Sequence, residues 1–268
     1  MNKNKIYQLY SQLYEKHGDP AVFWPQWCAK NKTEATRELV AIGAILTQRT
    51  SWHNADLALE NFKKENLLSL EKIAKVNYIS RAGLSDPRPA TKGGTPLESC
   101  FYSPKAKKTS ANPNFFGKPS RPKGRGFTER LKKLNAFTEL IRPAGFYQSK
   151  PKRLFSLASF IVNNYGNLTG FMKEKLNVAR EKLLGLYGIG PETADTILLY
   201  ALDRPTFVID AYTQKLVKKE KIAKNLEYNY LKQLFEENLP KDTILFQSFH
   251  TLIIVDQKGR EGSMMRIV

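Results

Sequence analysis

Four residues in the C-terminal third of the chain have the types and spacing to do chemistry. Gly188 and Gly190 stand in GLYGIGPETAD, with Glu192 just after them. Asp210 follows the second glycine by about twenty residues, a separation shared with dinucleotide fingerprints. Glycine takes positive φ without steric cost, so a Gly-x-Gly turn lets backbone N–H groups approach an anion closely. A dinucleotide site would also need a β-strand ahead of the glycines and a small third residue at position 193. Thr193 stands there instead, and the lead-in VAREKLLGLY is charged and helix-patterned. A helix–hairpin–helix whose amides face a phosphate fits better, although a bare helix–helix turn would use the same glycines.

The flanking elements follow from apolar spacing and caps. A first helix is expected over Asn177–Leu186. A second starts at Pro191, with Glu192 near its positive end and Ala194, Ile197, Leu198 and Ala201 on one face. Thr206–Ile209 reads as a short extended segment. Asp210 then takes the N-cap position of a helix over Ala211–Val217.

Helical periods cover most of the remainder: residues 3–17, Thr33–Gln48, Trp52–Lys64, Leu67–Val76, Thr128–Ile141, Pro151–Tyr165, Leu226–Glu237 and Thr243–Asp256. Ala21–Cys28 is an aromatic-rich loop. The expected fold class is therefore all-α. One segment stands apart: Ser80–Phe127 is dense in Pro, Gly, Ser and Lys, a composition that cannot bury a core. With ten basic residues against two acidic ones, it is expected to be a flexible basic insertion, either adding phosphate affinity or idle.

The whole chain of 268 residues carries 43 Lys and Arg against 25 Asp and Glu, a net charge of +18. That balance points to a polyanionic partner. No run of about eighteen apolar residues exists, so no membrane span is expected. The start MNKNKIYQLY lacks the apolar core of a signal peptide, and an intracellular, cytoplasmic protein is expected. Cys28 and Cys100 are too few for a disulfide framework or a four-cysteine metal site. His17, His53 and His250 are scattered, and none is assigned a metal or a catalytic role.

The hairpin with its aspartate resembles the signature of the helix–hairpin–helix DNA glycosylases of the endonuclease III type. Supporting segments are AIGAILTQRTSWHNADLAL, IRPAGFYQSKPKRL and SFHTLIIVDQKG, so the resemblance spans nearly everything outside Ser80–Phe127. Within the family the chain looks most like the monofunctional 3-methyladenine glycosylases. Bifunctional members carry a lysine, which forms a Schiff base, where Glu192 stands here. Many relatives end in a four-cysteine iron–sulfur loop, whereas the tail GREGSMMRIV has no cysteine.

The resemblance implies a two-lobed helical fold, one lobe from residues 1–30 plus 201–268 and a barrel lobe from 31–200, with the cleft between them. It implies Asp210 as the catalytic carboxylate, stabilising positive charge on the sugar and handling the attacking water, while also capping its helix. Leu186, Gly188 and Gly190 would grip the DNA backbone through main-chain amides. Trp24, Phe23 and Trp52 match positions of the base pocket, the alternative being core packing, and Glu192 would lie near the base. Gln48 matches the residue that plugs the gap left by a flipped base, and Phe146 the wedge that enters the stack. Lys150, Lys152 and Arg153 would touch phosphates, or form a solvated face.

The expected activity is hydrolytic release of alkylated purines from damaged double-stranded DNA, by a monomer without a cofactor. A monovalent cation held by hairpin carbonyls is compatible with the family. The competing expectations are an endonuclease III-like glycosylase for an oxidised pyrimidine or a mismatch, and a non-catalytic DNA-binding module.

Overall fold

The structure is a computed structural model that describes residues 3–76 and 125–265. The expected basic insertion lies outside the described residues, except that Arg125 to Phe127 already belong to a helix. Residues 1–76 and 137–268 form one compact unit, and residues 77–136 a second. Every functional residue considered below lies in the first.

That unit is helical throughout its regular structure, as the apolar periods require. Its helices are α1 (Lys3–His17), α2 (Glu34–Leu46), α3 (Trp52–Lys64) and α4 (Leu70–Ala74), then the end of α5 (Arg125–Ile141). There follow α6 (Lys150–Tyr165), α7 (Leu168–Phe171), α8 (Leu176–Leu184), α9 (Pro191–Thr196), α10 (Ala211–Lys219), α11 (Tyr228–Asn238), α12 (Thr243–Lys258) and α13 (Arg260–Ser263). Thr206–Ile209 is buried but pairs with nothing, so the described residues contain no strand. Among them no helix is long and apolar enough to cross a membrane.

Side-chain caps set the helix starts. Thr33, Ser51, Asn167, Asp210 and Asp242 each accept a backbone N–H from the first turn of the helix they open, satisfying donors that the helix itself leaves free. The helix expected over Leu67–Val76 shortens to Leu70–Ala74, because Ser69 makes no such bond and Leu67 still closes the α3 turn onto Phe62. The apolar α2, buried from Val40 to Leu46, packs against α3, α6 and the helix following the hairpin. On the other side α12 is buried from Phe246 to Val255 and receives α1, α10 and α13.

One buried carboxylate joins the hairpin helices to the segment leading into α10. Asp195, on α9 and fully buried, accepts Arg180 Nε of α8 at 2.8 Å and Arg180 Nη2 at 3.0 Å. It also accepts the Tyr228 hydroxyl of α11 at 2.8 Å and the Thr206 hydroxyl at 3.2 Å. After Thr196 the helix widens into a π turn over Ile197–Ala201, entirely buried.

Removing Asp195 would strand the Arg180 guanidinium and the Tyr228 hydroxyl, while Thr206 Oγ1 keeps Glu236 Oε1 at 3.2 Å. Asp195→Ala is expected to cost about 3 kcal/mol or more, as for breaking one side of a buried pair. Urea denaturation of both proteins measures it, and a difference below about 1 kcal/mol would count against this network as the joint.

Candidate active site

The hairpin is anchored by its apolar residues and open at its glycines. Leu186 and Ile189 are buried, whereas Tyr187, Gly188 and Gly190 are exposed. Ile189 N–H closes the turn on Leu186 O at 3.2 Å, and Gly188 sits at φ +73°. Among the described residues neither the Gly188 nor the Gly190 amide meets a protein acceptor. Both are left for an acceptor outside the protein. The Leu186 and Gly188 carbonyls each accept one bond, from Ile189 and Gln48, and each keeps a lone pair. That donor set is compatible with a shared monovalent cation.

Gln48 and Arg153, expected at separate DNA contacts, meet at this hairpin. Gln48 Nε2 donates to Thr193 Oγ1 at 2.8 Å and to Gly188 O at 3.3 Å, while Arg153 Nη1 donates to Gln48 Oε1. The Arg153 side chain lies flat on Gly188. A Cβ at that glycine would come within 2.6 Å of Arg153 Nε, itself buried without a hydrogen-bond partner among the described residues. Lys152, on the same first turn of α6, is half-buried.

Lys150 needs a correction. It is fully buried, not a surface cation, and its Nζ donates to Leu46 O and Ala144 O, each at 2.7 Å. Burial, and then the neighbouring Arg153 charge, push its amine down to about 8. The charge read from the sequence is real, but two main-chain carbonyls draw it inward. Phe146 lies in the turn after Gly145, 51% exposed and held at φ +47°.

Asp210 opens α10 and uses one oxygen as the cap. Oδ1 accepts Thr213 N at 2.7 Å and Thr213 Oγ1 at 2.9 Å. Oδ2 lies 3.6 Å from Nε2 of His250 on α12, too far for a hydrogen bond but close for a charge contact. Burial acts to raise this carboxyl; His250 and the two Thr213 donors outweigh it and hold Asp210 below the ordinary carboxylate range. Among the described residues His250 Nε2 has no hydrogen-bond partner, and its Nδ1 lies 2.8 Å from the Tyr200 hydroxyl. If Tyr200 donates to Nδ1, the remaining ring proton sits on Nε2 and points at Asp210.

Glu192 faces the same space from the start of α9. Its side chain is exposed, and partial burial, followed by the Asp210 charge, raises its carboxyl above the ordinary value. The hairpin end of α9 and the cap of α10 thus present two coupled carboxyls held in opposite directions, a pattern typical of paired acid–base sites.

The expected aromatic pocket also needs a correction. Trp24 is fully buried, its indole N–H donating to Ser263 O at 2.9 Å, and Phe23 is buried beneath Arg260. Neither offers a face to a base in this conformation. Trp52 is half-buried, rests on Trp24 at 4.7 Å between ring centroids and meets Trp27 at 5.4 Å. The cavity beside Trp52 and Trp27 holds about 10 Å³, no more than one water. Over the Trp52 ring, at 5.7 Å, sits Lys258 Nζ, which is also 5.4 Å from the Tyr212 ring. Burial lowers the Lys258 amine, with Asp210 opposing that shift.

His250, Tyr200, Tyr212 and Lys258 escaped the sequence reading. Lys258 falls two residues beyond the expected end of its helix, and His250 lies some fifty residues from its Tyr200 partner, so no local pattern joins them.

The hairpin geometry makes a differential prediction. Gly188→Ala meets both the positive φ and Arg153, and is expected to cost about 1–2 kcal/mol. Gly190→Ala, at φ −91° with open space around it, is expected to change stability by less than about 1 kcal/mol. Thermal denaturation compares the two, and equal effects would contradict the packing described.

No family model matches the chain. It is 35% identical over 260 residues to a Methanocaldococcus jannaschii protein assigned by name to the DNA repair glycosylases, spanning 95% of this chain and 89% of that one. It is 25% identical over 104 residues to endonuclease III of Thermotoga maritima, covering 39% of this chain and 46% of that protein. In fold it resembles the H. pylori 3-methyladenine DNA glycosylase bound to 1,N6-ethenoadenine. That match has a TM-score of 0.61 at 23% identity and covers 96% of this chain and 98% of the other.

Proposed function

The chain belongs to the helix–hairpin–helix DNA repair glycosylases, and on that premise we propose that it hydrolyses the N-glycosidic bond of an alkylated purine in duplex DNA without cutting the strand. The observation that carries the reading is the environment of Asp210, a largely buried carboxylate kept ionised by His250 and Thr213 and facing Glu192.

In this reading the Gly188 and Gly190 amides, with Arg153 beside them, bind a backbone phosphate. A monovalent cation on the hairpin carbonyls would add positive charge there. Phosphate contacts of this kind position the duplex without reading its sequence. Gln48 and Phe146 enter the space vacated by the flipped nucleotide, and Trp52 with Tyr212 offers stacking faces to the base.

The C1′–N bond breaks with its electron pair leaving on the base. A cationic alkylpurine departs neutral and requires no proton. Asp210 stabilises the positive charge that develops on the sugar, then takes the proton of the water that adds to C1′. His250 acts through Asp210 as a positioning residue. Glu192 in place of an amine removes the imine route at that position, and every group used is a side chain or a main-chain amide. The two-lobed division belongs to this reading too; α1 packs on α12 and on α11, as the lobe of residues 1–30 plus 201–268 requires.

One observation favours a second substrate class. Lys258 already places an amine over Trp52 and Tyr212, the faces that would otherwise attract a cationic base. A neutral damaged base would not meet that repulsion.

Base release from methylated duplex DNA tests the main reading. Wild type is expected to liberate free 3-methyladenine, and Asp210→Asn to lose about a hundredfold or more of the rate. No release, or equal release by the variant, would sink it. Borohydride should trap no protein–DNA adduct. His250→Phe removes a group that holds Asp210 low, so the acid limb of the rate profile should move to higher pH; an unmoved limb would take His250 out of the scheme. Release of a neutral purine lesion faster than 3-methyladenine, with the order reversed in Lys258→Met, would establish the second class.

A further inference from the structure

Gln48 and Phe146 sit in turns far apart in sequence, yet one ammonium holds both turns. Lys150 Nζ donates at 2.7 Å to Leu46 O and at 2.7 Å to Ala144 O. Each carbonyl lies two residues before a side chain assigned to enter the duplex: Leu46 before Gln48, Ala144 before Phe146. Both carbonyls also close a helical element, α2 in one case and the 3₁₀ turn Arg142–Ala144 in the other. Such carbonyls lack intrahelical partners and carry the negative end of the helix dipole, so an ammonium suits them. The same Nζ lies 5.9 Å from the Phe146 ring.

A buried charge is a costly way to gain stability, since an apolar side chain of similar volume often serves as well. Two charge-assisted bonds instead fix where two backbones stand relative to each other. The Gln48 turn has further ties, to Thr193, Gly188 and Arg153, whereas Phe146 is exposed at its tip.

We propose that Lys150 is a positioning residue that sets the separation between Gln48 and Phe146, so that plug and wedge enter the DNA as one unit. The inference rests on the reading of those two residues as the inserted pair. Lys150 touches neither substrate nor reacting atoms. It acts at the step that extracts the base from a paired stack and is dispensable once the base is already unpaired.

The test uses the full chain and a damaged purine that wild type releases in the assay above. The lesion is placed once opposite its partner base and once in an unpaired bulge. In single-turnover release, Lys150→Met is expected to lose about tenfold or more on the paired substrate, as small misplacements of positioning groups do, and less than about threefold on the bulge. Affinity for undamaged duplex should be unchanged. Adding Lys150→Met to the Gln48→Ala/Phe146→Ala double variant should cost nothing further on the paired substrate.

Equal losses on both substrates, no loss on either, or a full additional loss in the triple variant would overturn the proposal. Should Lys150→Met lack a native melting transition, the comparison is read on Lys150→Gln, which keeps a donor for one carbonyl and should fall between Met and wild type. If wild type itself releases base from neither substrate, the glycosylase reading fails rather than this one.

Discussion

Arg180, Thr206 and Tyr228 converge on the carboxylate of Asp195, and the distance between the hairpin and Asp210 depends on that convergence. The hairpin is fixed to α9, and Asp210 follows an extended stretch with no ladder to hold it. Without a shared anchor these parts could drift by an ångström, which is enough to spoil a reacting geometry. Asp195 gives them one. Glu236 adds to it by accepting the Phe207 amide at 2.8 Å, so the approach to Asp210 is held at consecutive residues. The backbone of this segment lacks strand partners, and the half-buried Glu236 carboxylate takes the Phe207 amide instead.

Electrostatic economy explains much of the site. Asp210 is held low and Glu192 is raised, although they share the same space. The difference comes from partners: Asp210 has a cap and an imidazole, while Glu192 has lost water and faces a like charge. The buried Trp24, Trp27 and Tyr200 keep water from the far side of His250. In such surroundings a fixed charge acts with less screening than it would in solvent.

Most helices were legible in the sequence because their apolar period and caps agree. Trp52–Lys64 behind Ser51 is the clearest case. Leu168–Phe171 was not legible, since four residues show no period and its cap, Asn167, looks like any loop asparagine. The hairpin was readable through its glycines, and the Asp210 cap through the helix it opens. Lys150 shows the limit: composition gives a charge, but only the arrival of Leu46 O and Ala144 O from elsewhere in the chain makes burial tolerable. Trp24 and Phe23 were aromatic in the expected stretch, yet sequence does not say that the fold buries both. His250 needed the fold to meet Asp210.

The contact between Arg153 and Gly188 reaches beyond this molecule to the sequences that could descend from it. A Cβ at residue 188 would collide with Arg153 atoms at 2.6 to 2.8 Å. The two positions are therefore not free to vary independently. Any lineage that shortened residue 153 would relax the steric half of the constraint on residue 188, leaving only the positive φ to select among glycine, asparagine and aspartate. Losing the arginine first would make losing the glycine cheaper, so the two changes favour one order.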